Sequence, residues 1–174
     1  MVDFYRKNKL YQQNIQQISE DKKLKKNIFA AATGLFLALT LTACGKDPAL
    51  SEFKGQMDTF CNTVVDINDS INSIDPEAEG ASALALGYLD QLDTAFREFA
   101  EIDFPADYDY LEPIADEAGQ YMTQAVQGYH LAYAEDGYDE AVAASAREDS
   151  ARAFKRVQVI LDVLQRNVSA GDAQ

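Results

Sequence analysis

The feature that most constrains this chain is an unbroken apolar seam: Leu50, Phe53, Met57, Phe60, Val64, Ile67, Ile71 and Ile74. The spacing runs 3, 4, 3, 4, 3, 4, 3, the a/d pattern of a helix that buries one stripe against its neighbours. It predicts a helix from about Ala49 to Ile74. Asp75-Pro76 ends it, because the residue before a proline is pushed out of the helical region, and Gly80 lies in the turn that follows.

Three more segments carry the same period. A second helix, about Ala81 to Glu101, has the stripe Ala85, Leu89, Leu92, Phe96 and Phe99, with Tyr88 flanking and Phe104-Pro105 closing. The third opens at Asp109-Tyr110-Leu111-Glu112, read as an N-cap acid with its Glu three residues on, and Pro113 falls in the first turn where a missing N–H costs little. Its stripe is Leu111, Ala115, Ala118, Met122, Ala125, Tyr129 and Ala132; the small residues at 115, 118 and 125 imply close helix approach, and Gly137 supplies the next break. The last helix, about Asp139 to Val168, turns Val142, Ala146, Ala153, Val157, Leu161, Leu164 and Val168 inward, with Phe154 and Ile160 beside them. Ser169 to Gln174 reads as a frayed polar tail. Long amphipathic segments joined by short turns make the expected fold all-α, an antiparallel up-down four-helix bundle over residues 50–168.

What precedes the bundle is of another kind. Lys22-Lys23-Leu24-Lys25-Lys26 is a positive cluster, and Ile28 to Ala43 is an uncharged run of 16 residues. A bilayer core needs about 20 apolar residues in a helix, so the run is short for a permanent span and suits a signal peptide. Leu41-Thr42-Ala43-Cys44 resembles the lipobox of bacterial prelipoproteins at every position. The resemblance implies a diacylglycerol on the Cys44 thiol, cleavage between Ala43 and Cys44, and a lipid-anchored protein on the extracytoplasmic face of the cell membrane. Two acyl chains hold stably where one is marginal. The competing reading is a plain signal anchor with an incidental cysteine. Residues 1–21 are either a long polar n-region or an over-extended start, and residues 44–49 would be a short tether.

Cutting 43 residues from 174 leaves 131, the size of one domain. That part carries eight Lys/Arg against 26 Asp/Glu, net −18, which repels nucleic acid and anionic headgroups. Five of the eight bases, Arg147, Arg152, Lys155, Arg156 and Arg166, lie on the last helix. Either they pair with acids across the bundle or they form an exposed strip for a partner. Cys61, beside Phe60, reads as a small buried hydrophobe, with a Cys44–Cys61 disulfide as the alternative that acylation would forbid.

A di-metal carboxylate bundle needs Glu-x-x-His on two helices with acids inward. The chain has one histidine and no acid in its inward stripes, so no metal, cofactor or catalytic residue is assigned. The acidic links (Asp103, Asp107 and Asp109; Glu135, Asp136, Asp139 and Glu140) lack the alternating ligand series of an EF-hand and read as helix-capping acids. Six tyrosines fall between positions 108 and 138, in links at opposite ends and on the third helix. His130, next to the seam, is either a hydrogen-bonded, partly buried side chain or a ligand contact.

The mature part also resembles the small helical lipoproteins of gut Firmicutes through Tyr121-Met122, Tyr129-His130 and Lys155-Arg156, a resemblance that brings no activity. The expectation is a non-enzymatic binding or scaffolding module for an envelope protein or peptide, touched through Tyr121, Tyr129, His130, Tyr133, Arg152 and Arg156. The alternative is a small-ligand carrier or sensor whose pocket lies between helices near Tyr129 and His130.

Overall fold

The computed structural model of the chain describes residues 48–134 and 138–171. The signal segment, Ala43 and Cys44, Gly137 and residues 172–174 lie outside them. Helix α1 spans Pro48–Ser73, α2 Ala81–Ala100, α3 Glu112–Ala132 and α4 Glu140–Gly171, with a 3-10 turn at Asp109–Leu111 before α3. The four helices form an antiparallel up-down bundle in which each packs on its sequence neighbour, and the α3–α4 contact is by far the most extensive.

The α1 seam is buried as its period requires, from Phe53 through Met57, Phe60, Val64, Ile67 and Ile71 to Ile74, with Leu50 half-buried at the start. Aromatic rings fill the α1–α2 side. Phe60 stacks on Phe99 at 4.3 Å between centroids and meets Phe96 edge-on at 5.2 Å. Phe96 in turn meets Phe154 of α4 at a right angle, 5.3 Å away, so one ring bridges the middle of the bundle. At the end where α1 begins, Phe53 packs against Phe104 and stacks on Tyr108 of the α2–α3 link.

The α3–α4 side is built from small residues. Ala115, Ala118, Ala125 and Ala132 are fully buried, so the close approach expected at 115, 118 and 125 is present. It is tightest at a position the periodicity passed over: a methyl on Gly128 would lie 2.9 Å from the Ala146 Cβ. On the α2 side a methyl on Gly119 would meet the Ala100 Cβ at 3.2 Å.

Three expectations are corrected. Asp109 does not cap α3: residues 109–111 close a 3-10 turn, Leu111 precedes the helix with no side-chain cap, and the Glu112 carboxylate instead accepts the Phe104 backbone N–H. In the first half of α4 the buried stripe passes through Ala143 and Ser150, while Val142 is only half-buried. The run Ala143, Ala146, Ser150, Ala153, Val157 restores a 3-4 period there, because only small side chains fit against α3. Finally, α4 continues to Gly171 instead of ending at Val168 before a tail.

Turn chemistry agrees better. Asp75 Oδ1 accepts the Glu77 N–H at 3.0 Å, and Gly80, at φ 78°, takes the left-handed conformation that starts α2. Asp139 Oδ1 accepts the Ala141 and Val142 N–H groups at 2.9 and 3.1 Å and caps α4, which is the capping role assigned to that acid.

The two kinds of helical glycine should respond oppositely to substitution. Gly128→Val should lower unfolding free energy by about 2 kcal/mol through overpacking against Ala146. Gly87→Ala, with open space around its Cβ, should raise it by about 0.5–1 kcal/mol. Urea midpoints at constant slope measure both.

Candidate functional site

The residues singled out for contact divide into three places. Tyr121 on α3 and Arg152 and Arg156 on α4 come together, because the tight α3–α4 packing sets these positions side by side. Both guanidinium carbons lie over the Tyr121 ring, at 5.8 and 5.9 Å from its centroid, within range of the ring's negative face. Each arginine is also neutralised: Arg156 bonds Glu117 across to α3, and Arg152 bonds Asp149 at 2.9 Å with Glu148 at 3.6 Å. Arg147 donates to Glu140 at 3.0 Å. Of these three arginines, Arg156 pairs across the bundle as one reading expected, whereas Arg147 and Arg152 pair with acids of α4 itself.

Tyr129 and His130, drawn together in the carrier reading, point in different directions. The Tyr129 ring is 2% exposed within the core, whereas His130 is at the surface with its Nε2 2.7 Å from Asp90 Oδ1 on α2. Neighbouring positions on a helix are about 100° apart, so one faces inward and the other outward. Tyr133 is half-buried and pairs with Tyr138 at 4.9 Å between centroids. Tyr110, at the opposite end, is 57% exposed.

The Tyr129 hydroxyl is buried without a hydrogen-bond partner. Burial, the first cause, pushes its pKa up to about 12, against a lowering influence from the Arg147 charge and a raising one from Tyr138. Cys61 is half-buried against the core, and burial together with the Asp58 carboxylate pushes its thiol up to about 11. Thiolate is the reactive form, so this sulfur is a poor nucleophile at neutral pH.

Along the outer face of α1 and α2 runs a groove that no motif or spacing in the chain announces. One hollow of about 350 Å³ lies near Asp66, Ile67, Ser70 and Gln91. A second of about 410 Å³ lies near Glu52, Gly55, Thr59 and Phe60. Thr63, Ala95 and Glu98 line both, so the two are continuous. The lining is mostly Gly, Thr, Ser and acids, residue types that read as a plain solvent face. Among the described residues no three His, Cys, Asp or Glu side chains are grouped to hold a metal. Comparison with protein-family models, with curated proteins and with solved structures finds no match.

Tyr129 generates a pH prediction. Its folded pKa is above the ordinary 10, so the unfolded chain ionises first and stability falls as pH rises from 10 through about 12. The loss should total about 2–3 kcal/mol. Tyr129→Phe should keep that stability at high pH while changing it by less than about 1 kcal/mol at pH 7, since the hydroxyl it removes has no partner. Chemical denaturation of both proteins at pH 7 and pH 11 measures the difference.

Proposed function

We propose that this chain is a lipid-anchored, extracytoplasmic, non-enzymatic binding or scaffolding module. The observation that carries the reading is Leu41-Thr42-Ala43-Cys44 placed four residues ahead of Pro48, where the first helix of the bundle begins. Four residues reach at most about 14 Å, so an acyl group on Cys44 would hold the α1 end, with the Phe104–Leu111 link beside it, close to the bilayer. No helix among the described residues is long and apolar enough to cross a membrane.

His130 is partnered by a surface carboxylate, and the Cys61 thiol is held in its unreactive form. The carrier alternative gains no specific support, since Tyr129 and His130 face different surroundings.

Metabolic labelling with an alkyne fatty acid, in bacteria producing the full chain, should tag the wild-type protein and leave Cys44→Ser unlabelled. The variant should also leave the membrane fraction or retain its leader. Mass spectrometry finding an underivatised Cys44 in the wild-type protein would sink the anchor.

A further inference from the structure

We draw no further inference here: the strongest candidate, the Tyr129 hydroxyl and the Arg147 Nη1 buried without protein partners where the end of α3 meets the start of α4, carries nothing because the two hollows along α1 and α2 do not reach it and nothing in the structure shows room or a route for a ligand between these groups.

Discussion

The rest of the bundle follows from how closely α3 and α4 approach. Gly128 against Ala146 removes the space that side chains would otherwise hold open, and the alanines of α3 extend the contact along its length. Helices separated by methyl groups gain many weak dispersion contacts per turn. The opposite side cannot close in the same way, because Phe60, Phe96 and Phe99 occupy it. The bundle is thus narrow at α3–α4 and wide at α1–α2. A groove along the wide side is a consequence of that difference in side-chain volume.

The same asymmetry organises the charges. Where α3 and α4 are close, Arg156 reaches Glu117 on the facing helix, and Tyr121 fits beneath two guanidiniums. Exposed ion pairs of this kind contribute little to stability individually, typically under about 1 kcal/mol. Their larger effect is on the surface field: they cancel positive charge on the one basic helix and leave the negative charge of α1 and α2 uncompensated. Two acids of α2 are partnered: Asp90 meets His130 at 2.7 Å, and Asp93 holds Arg97 at 3.2 Å while accepting the Thr123 hydroxyl at 2.5 Å. Both fasten α2 to α3.

How much of this could be read in the sequence depended on side-chain size. The α1 seam was fully legible because each buried position is a large apolar residue and each gap is 3 or 4. The start of α4 was not, because Ala, Ser and Val at 142–150 give no contrast between faces, and the choice of Val142 over Ala143 followed hydrophobicity where volume decides. Asp109 misled for a local reason. A capping acid needs free N–H groups ahead of it, and the 3-10 turn to Leu111 has already shaped that stretch. At the candidate site, the meeting of Tyr121, Arg152 and Arg156 depends on the register of two helices, which a one-dimensional pattern does not contain.

The groove was illegible for a further reason that bears on its chemistry. Gly55, Thr59, Thr63 and Ser70 are spaced 4, 4 and 7 along α1, so they form a stripe as regular as the core seam, made of small residues. A pattern search scores that stripe as polar and therefore as solvent-facing. Yet the hydroxyls of Thr59 and Ser70 are turned back onto their own helix, so what they offer outward is mainly carbon.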